Sequence, residues 1–185
     1  LIIAKDTRRT SVLLSHFGID TPLKSYHGDS IKSVRTELIE RISSGLTAAL
    51  LTDAGTPGIS DPGAEFVAEA VSVGLEVSPV PGASAITAAL SVSGFNADQF
   101  VFLAYPPRKS SKREECLRPA LAQTRTVVLF ESPHRIVDTI AELAAIAPER
   151  AAFMGRELTK RFEELTRGTL KQMAQSIEGS EARGE

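Results

Sequence analysis

Three segments hold residue types that bind ligands or move protons, and each comes directly after an apolar run of the chain. The first, residues 53–63, reads Asp-Ala-Gly-Thr-Pro-Gly-Ile-Ser-Asp-Pro-Gly. Its glycines, Gly55 among them, permit positive φ angles and close approach of a ligand to the backbone, and Asp53 and Thr56 add polar groups. A tight strand-to-helix turn, with Asp53 forming an Asx turn, explains the same pattern. Both interpretations stay open from the chemistry alone.

The second segment, residues 79–85, reads Pro-Val-Pro-Gly-Ala-Ser-Ala and opens a predicted helix. Gly82 and the small residues after it leave room for a flat ligand, to which free amides at the helix start can donate hydrogen bonds. Close packing of a small-residue helix on a sheet is the alternative explanation. By itself this segment is a weak indication of a binding surface.

The third segment, residues 130–135, reads Phe-Glu-Ser-Pro-His-Arg. Glu131 and His134 carry side chains that can accept or relay a proton, and the guanidinium of Arg135 can hold an anion. Structural roles are the alternative. In that case Glu131 satisfies the loop backbone, while His134 and Arg135 are ordinary residues of a first helical turn.

Basic side chains form three local clusters in a chain whose net charge is −2. Solvated surface charge is the common meaning of such clusters, and contact with nucleic-acid phosphates is the functional alternative. The clusters are Arg8 and Arg9; Arg108 and Lys109 with Lys112 and Arg113; and Arg156, Lys160 and Arg161.

Composition narrows the class of protein. Hydrophobic residues make up 42% and charged residues 24%, which is typical of a folded globular chain, and the net charge excludes a histone-like coat for DNA. No apolar run approaches the roughly 18–20 residues of a membrane helix, so we predict no membrane association. Cys116 is the only cysteine, which excludes an intrachain disulfide and a zinc site of several thiolates, and favours a reducing compartment. Phosphate-loop, dinucleotide-fingerprint, serine-hydrolase and zinc-protease motifs are all absent from the sequence.

Short apolar runs alternate with helical patterns along the chain, which predicts an α/β fold with largely parallel sheets. The apolar run at 46–51 lacks polar alternation and predicts a strand covered on both faces. Strands are predicted at residues 1–4, 23–26, 46–51, 75–80, 100–104, 126–130, 151–154 and 162–166. Helices are predicted from 7 to 17, from a cap at Ser30 to 45, from 64 to 73, and at 83–92, 112–123, 133–143 and 170–177.

Residues 105–111, Tyr-Pro-Pro-Arg-Lys-Ser-Ser, combine two prolines with charged and polar residues and are the best candidate for a boundary. We therefore predict two α/β lobes, residues 1–104 and 105–185. Ligands of open α/β sheets bind beyond the carboxyl ends of the strands, which is where residues 53–63 are expected to lie.

Five short motifs, taken in order, resemble those of the ribosomal RNA small subunit methyltransferase I group within the tetrapyrrole methylase superfamily. The resemblance is collinear and covers nearly the whole chain, and the order and spacing of the motifs are more specific than any one of them. The motifs are Asp-Thr-Arg-Arg at 6–9, Asp-Ala-Gly-Thr-Pro at 53–57, Pro-Gly-Ala-Ser-Ala at 81–85, Glu-Ser-Pro-His-Arg at 131–135 and Arg-Glu-Leu-Thr-Lys at 156–160.

This resemblance implies two lobes of the tetrapyrrole methylase type, with S-adenosylmethionine bound in the cleft between them, and usually a homodimer. It places the loop that starts at Gly55 beside the methyl donor, with Phe130 approaching from the second lobe. The residues expected to bind the donor are Asp53, Gly55, Thr56, Pro57, Gly82, Ser84, Ala85 and Phe130.

The same resemblance implies 2′-O-methylation of a cytidine ribose in small-subunit ribosomal RNA, and hence a cytoplasmic enzyme. We expect Glu131 to accept the proton of the ribose hydroxyl, with His134 as the second candidate. The side chains expected to contact RNA phosphates are Arg8, Arg9, Arg108, Lys109 and Arg135. No metal is expected to take part.

Three departures from the family pattern lead to a further expectation. The family's opening strand and Thr-Pro-x-Gly-Asn loop, and the strands after a Gly-Glu such as that at 184–185, are not in this sequence, and Lys5 stands where an acidic residue is usual. We therefore expect a fragment lacking both ends, with an unpaired sheet edge by the strand at 1–4 and without methylating activity as given. The rival interpretations are a tetrapyrrole C-methylase and a noncatalytic RNA-binding or assembly protein.

Overall fold

Strands and helices alternate through most of the computed structural model, which describes residues 1–27 and 31–178. The strands are β1 (Ile2–Ala4), β2 (Leu23–Ser25), β3 (Ala49–Leu51), β4 (Phe100–Phe102), β5 (Thr126–Val128), β6 (Ala151–Arg156) and β7 (Glu164–Thr169). The helices are α1 (Thr7–His16), α2 (Ile31–Ser43), α3 (Ala64–Ser72), α4 (Ala85–Ser93), α5 (Ser110–Leu121), α6 (Ile136–Ile146) and α7 (Leu170–Ile177). The predicted α/β class is confirmed, and the predicted cap Ser30 and residues 179–185 lie outside the described residues.

The chain divides into two compact units, Leu1–Ser84 and Ala85–Glu185. This division falls between Ser84 and Ala85, within the segment at residues 79–85. The lobe boundary predicted between residues 104 and 105 lies inside the second unit and stays a prediction of the sequence.

The first unit is built on a parallel sheet with the strand order β2-β1-β3. Ile2 of β1 pairs with Leu23 on one side and Ala49 on the other, so the expected unpaired edge is wrong for this strand. Because β1 is central and covered by helices, all three of its residues are buried. The core of the unit consists of Ile3, Tyr26, Leu38, Ile39, Phe66 and Ala70.

Two sequence-based strand predictions fail in the first unit. Residues 75–80 form no strand and pair with neither edge of the described sheet, and Val77 and Val80 are exposed. The predicted strand at 46–51 is reduced to β3 and is not covered on both faces, since Ala49 is exposed and the other two residues are half-buried. β3 is an edge strand of the described sheet, which explains its incomplete burial.

As far as residue 178, the second unit contains two strand pairs. β4 and β5 are parallel, whereas β6 and β7 form an antiparallel hairpin, so the prediction of largely parallel sheets holds with this exception. Leu117, Leu143 and Leu170 form its buried cluster. The hairpin leads directly into α7, which Thr169 starts with a capping box, since its hydroxyl accepts from the Gln172 amide at 3.2 Å.

Candidate functional site

The glycine-rich segment at residues 53–63 forms an open loop between β3 and α3. Gly55 has a φ of +68°, and a Cβ built there meets no other atom within 4 Å. Gly63 has a φ of +139°, and a Cβ there would lie 3.0 Å from Leu50 Cδ2 and 3.4 Å from the Gly58 nitrogen. The loop therefore needs glycine at residue 63 to close against the sheet, while its tip near Gly55 stays open and exposed.

Asp61 ties this loop to the ends of two strands. The ammonium of Lys5, just after β1, donates to Asp61 Oδ1 at 2.8 Å, and the hydroxyl of Thr52, just after β3, donates to Oδ2. Lys5, the residue whose charge departs from the family pattern, thus faces a carboxylate. Sequence analysis missed Asp61 as an anchor, although its place between the glycine-rich tip and Gly63 was a usable signal.

The loop at 53–63 contacts Ala83 of the segment at 79–85 within the first unit. The Thr56 hydroxyl donates to the Ala83 carbonyl at 3.4 Å, and the backbone around Gly82 is open in the same way as that around Gly55. Six of the predicted donor-binding residues belong to this unit: Asp53, Gly55, Thr56, Pro57, Gly82 and Ser84. The other two, Ala85 and Phe130, belong to the second unit.

Phe130 lies in a small aromatic cluster of the second unit. Its ring centroid is 5.0 Å from that of Phe102, edge to face, and 5.7 Å from that of Tyr105. The Phe130 amide donates to the carbonyl of Ala104 at 2.8 Å, and Ala104 itself has a φ of +54°. The segments that follow β4 and β5 are therefore held side by side at the carboxyl ends of their strands.

Glu131 is buried and fully hydrogen-bonded. Its side chain is 1% exposed; Oε1 accepts from the Ser132 amide at 2.8 Å, while Oε2 accepts from Arg135 Nη2 at 2.7 Å and from the Thr139 hydroxyl at 2.8 Å. The same Nη2 of Arg135 donates to the Pro106 carbonyl at 2.7 Å. The geometry favours the structural alternative for Glu131 and Arg135, whereas His134, in the turn before α6, is exposed.

A second arginine-carboxylate pair lies close by. Arg113, predicted to join a phosphate-binding cluster, is instead buried, and it donates to both oxygens of Glu142, at 2.6 and 2.5 Å. The hydrogen bonds and charge of Arg113 lower the pKa of Glu142, and burial opposes this shift. Hydrogen bonding to Glu142 likewise raises the pKa of Arg113. Arg113 also reaches the Arg108 carbonyl at 3.5 Å.

The other predicted phosphate contacts are exposed. Arg8 is 90% exposed and pairs with Asp6, the cap of α1, at 3.2 Å; its hydrogen bond lowers the pKa of Asp6. Arg9 beside it is exposed, as are Arg108 and Lys109 at the start of α5. These four side chains remain open to a polyanion.

The basic cluster of the β6–β7 hairpin is largely paired with acids. Arg156 contacts Glu164 at 2.6 Å, and Lys160 contacts Glu157 at 2.9 Å. Arg161 lies over the ring of its neighbour Phe162. The cluster therefore offers less free charge than the sequence suggests.

Two kinds of feature are missing from residues 1–27 and 31–178. They contain no group of three or more His, Cys, Asp or Glu side chains placed to hold a metal ion. Nor do they include a helix with the length and apolar character needed to cross a bilayer.

Comparison with known proteins gives a consistent family. The sequence profile described as Tetrapyrrole (Corrin/Porphyrin) Methylases matches residues 1–174. Ribosomal RNA small subunit methyltransferase I of Synechocystis sp. is 44% identical over 92% of this chain and 62% of that protein. The enzymes of the same name from Halalkalibacterium halodurans and Thermotoga maritima are 40% and 38% identical over the whole chain, which covers 64% and 83% of their lengths. The chain thus spans less than two thirds of the first two relatives.

Solved structures share the fold at low sequence identity. Cobalt precorrin-4 methyltransferase superposes with a TM-score of 0.63 at 16% identity, over 98% of this chain and 79% of that one. A Thermus thermophilus uroporphyrin-III C-methyl transferase, complexed with S-adenosyl homocysteine, superposes with a TM-score of 0.58 at 17% identity, over 95% and 78%.

Proposed function

The chain belongs to the tetrapyrrole (corrin/porphyrin) methylase family and, within it, to the ribosomal RNA small subunit methyltransferase I group, and from this we propose its function. The proposed reaction is S-adenosylmethionine-dependent 2′-O-methylation of a cytidine ribose in small-subunit ribosomal RNA. The observation that carries the proposal furthest is the loop at 53–63, whose open glycine backbone lies where an α/β sheet binds its ligand.

The residues of the first unit fit the methyl donor. Gly55 and Gly82 leave open space beside exposed backbone, and the bond from Thr56 to Ala83 keeps the two segments together. When bound, S-adenosylmethionine supplies a methyl group on a sulfonium, which is already a good leaving group. The chain has to align the ribose hydroxyl with that methyl, and alignment of this kind can supply up to about 7–11 kcal/mol.

Of the two predicted proton acceptors, His134 is the one whose side chain is exposed. A positioned base typically contributes about 10²–10⁴-fold to rate, and it must reach the proton that it removes. We therefore assign acceptance of the hydroxyl proton to His134, and reserve another role for Glu131.

The proposed partners are small-subunit ribosomal RNA and a second copy of the chain, in the cytoplasm. Support for the dimer comes from α1 and the turn after it, where Val12 and Phe17 are 71% and 66% exposed. Sedimentation of the parent chain and of Phe17→Lys is expected to show a dimer that the substitution weakens.

The direct test is transfer of labelled methyl groups to unmodified small ribosomal subunits and, separately, to a tetrapyrrole. We compare the chain with a hybrid in which it replaces the corresponding segment of the Thermotoga maritima relative. Label is expected in RNA ribose with the hybrid and not with the chain alone. Label only in the tetrapyrrole, or RNA binding without donor binding, would favour one of the two rival functions.

The proposal that the loop at 53–63 binds the methyl donor is tested by Gly55→Val. A branched side chain at a φ of +68° obstructs the backbone that we assign to the donor, so calorimetry is expected to show weaker S-adenosylmethionine binding with the fold retained. Gly94→Val is the matched control, because Gly94 has a φ of +79° and equally open surroundings at the end of α4. Equal donor affinities for the two variants would contradict the assignment of this loop.

The RNA contacts are tested by replacing Arg108 and Lys109 with alanine. Each lost phosphate contact is expected to lower the salt dependence of RNA binding by about one unit of slope, with donor affinity unchanged. Arg118→Ala with Lys171→Ala removes two other exposed cations of the second unit and is the control. Identical salt dependence of RNA binding for parent and variant would indicate that Arg108 and Lys109 are solvated surface charges that do not contact phosphates.

A further inference from the structure

We propose that Glu131 is a positioning residue that locks the segment at residues 105–109, called here the basic segment, and thereby sets where Arg108 and Lys109 meet RNA. This inference rests on the proposed function for its RNA partner. Its structural part, the lock itself, rests on contacts within the second unit.

Both carboxylate oxygens of Glu131 accept hydrogen bonds from neighbouring groups. Its 1% exposed carboxylate already accepts three hydrogen bonds, from the Ser132 amide, Arg135 and Thr139. A proton acceptor needs access to the group that gives up the proton, whereas a buried carboxylate that accepts three hydrogen bonds is held in a fixed place. Glu131 is therefore suited to organise cations and amides around it.

Arg135 bridges Glu131 and the basic segment. One atom, Nη2, donates both to Glu131 and to the carbonyl of Pro106, each at 2.7 Å. Pro106 is itself fully buried, so its carbonyl needs a hydrogen-bond partner within the protein, and Arg135 supplies one. Glu131 thus holds Arg135, and Arg135 holds the basic segment two residues before Arg108.

A second arginine-glutamate pair contacts the same segment. Arg113, held by two bonds to Glu142, reaches the carbonyl of Arg108 at 3.5 Å. The backbone on both sides of Pro107 is therefore contacted by two guanidiniums, the half-buried Arg135 and the buried Arg113, each paired with a glutamate. The exposed side chains of Arg108 and Lys109 project from a backbone that is already ordered, which lowers the entropy lost when they bind phosphates.

Thr139 offers a clean way to test the lock. Its side chain is fully buried, so it cannot touch a substrate, and its hydroxyl donates to Glu131 at 2.8 Å. Thr139→Val removes this bond at nearly constant volume, and Thr139→Ser keeps the hydroxyl. Ser93→Ala is a further control, because it removes a buried hydroxyl of the same unit that bonds only near α4.

Two measurements on the purified chain decide the matter. Trypsin cleaves after arginine and lysine, so the rate of cutting after Arg108 and Lys109 reports how often the basic segment opens. We expect Thr139→Val to raise that rate and to weaken binding of unmodified small-subunit RNA, each by about tenfold to a hundredfold, as for one lost hydrogen bond to a charged group. Thr139→Ser is expected to restore both values, and donor affinity is expected to stay unchanged throughout.

Glu131→Gln separates positioning from proton transfer. A positioning role predicts faster local cleavage and weaker RNA binding, with no further effect when Thr139→Val is added, because both changes act on one network. A role in proton transfer alone leaves cleavage and RNA affinity at parent values, and that result would overturn the inference. So would a Thr139→Val variant that matches Thr139→Ser and Ser93→Ala. If the parent chain binds no RNA, the proposed function fails, and cleavage rates still decide whether Glu131 locks the segment.

Discussion

The loop after β3 and the loop after β5 begin alike and are built in opposite ways. Each follows a parallel strand and leads to a helix of the same unit. Residues 52–63 owe their shape to positive φ angles, with Asp61 as a side-chain anchor. Residues 130–135 contain no glycine, and their side chains bond to one another and to the basic segment.

This difference separates two ways in which a loop can serve a site. A loop shaped by glycine leaves its backbone uncovered, so its amides and carbonyls remain available to a ligand. A loop shaped by buried ionic side chains commits most of its polar groups to internal hydrogen bonds, and it can fix a neighbouring segment firmly. We therefore expect substitutions in the second loop to affect stability most, and those in the first to affect ligand affinity.

The largest effect is expected for Glu131→Ala. It leaves the guanidinium of Arg135, 21% exposed, without its carboxylate partner, and breaking such a pair typically costs about 3–5 kcal/mol. Urea unfolding should show the loss in the transition of the second unit. Arg118→Ala, which breaks the exposed pair with Glu114, is the control and should cost less than about 1 kcal/mol. Similar losses for the two variants would erase the contrast between buried and exposed pairs.

The next largest effect is expected for Gly63→Ala. The new Cβ would meet Leu50 Cδ2 at 3.0 Å at a φ that L residues rarely adopt, and strain of this kind costs about 1–3 kcal/mol. Gly74→Ala places a side chain at a φ of +81° in open surroundings, so it carries the cost of the backbone conformation without a steric contact. The free energy of unfolding should therefore fall further for Gly63→Ala than for Gly74→Ala. The reverse order would mean that backbone conformation does not set the shape of the first loop.

Much of this architecture could be predicted from the sequence, because local patterns determine it. Asp6 directly precedes the helix predicted from residue 7, and it caps α1 by accepting from the Arg8 amide at 2.9 Å. The strand predicted at residues 75–80 does not form, because a strand depends on pairing with a neighbour, and periodicity does not reveal which segments pair.

The candidate site could be predicted only in part, since its decisive contacts join distant residues. Lys5 and Asp61 are 56 residues apart, and Arg113 and Glu142 are 29 apart. No spacing rule links such pairs, so Arg113 was grouped with its basic neighbours. The segments at 53–63 and 79–85 were recognisable because glycine and its small neighbours occur together in the sequence. The burial of Glu131, in contrast, depends on elements that pack around it.

A smaller effect is expected for Lys5→Ala. Lys5 is 46% exposed, and a pair of this kind contributes about 0–1 kcal/mol, while Thr52 continues to hold Asp61. The looser loop should weaken S-adenosylmethionine binding, by less than Gly55→Val does. Lys24→Ala, which breaks the similarly exposed pair with Glu37, is the matched control for calorimetry. Identical donor affinities for these two lysine variants would show that the loop does not depend on Lys5.

The smallest effect is expected at Asp6, because its partner Arg8 is 90% exposed. The hydrogen bond from Arg8 lowers the pKa of Asp6, so the carboxylate stabilises the fold above its ordinary pKa of about 3.9 and ceases to do so as pH falls through the lowered value. Asp6→Asn keeps a capping side chain and removes the charge. Unfolding followed between about pH 6 and pH 2 should show a small advantage of the parent chain near pH 6 that disappears in acid. Asp20→Asn, at an exposed aspartate outside any helix, should run parallel to the parent. A parent advantage that persists at the lowest pH would show that Asp6 acts through capping geometry rather than through its charge.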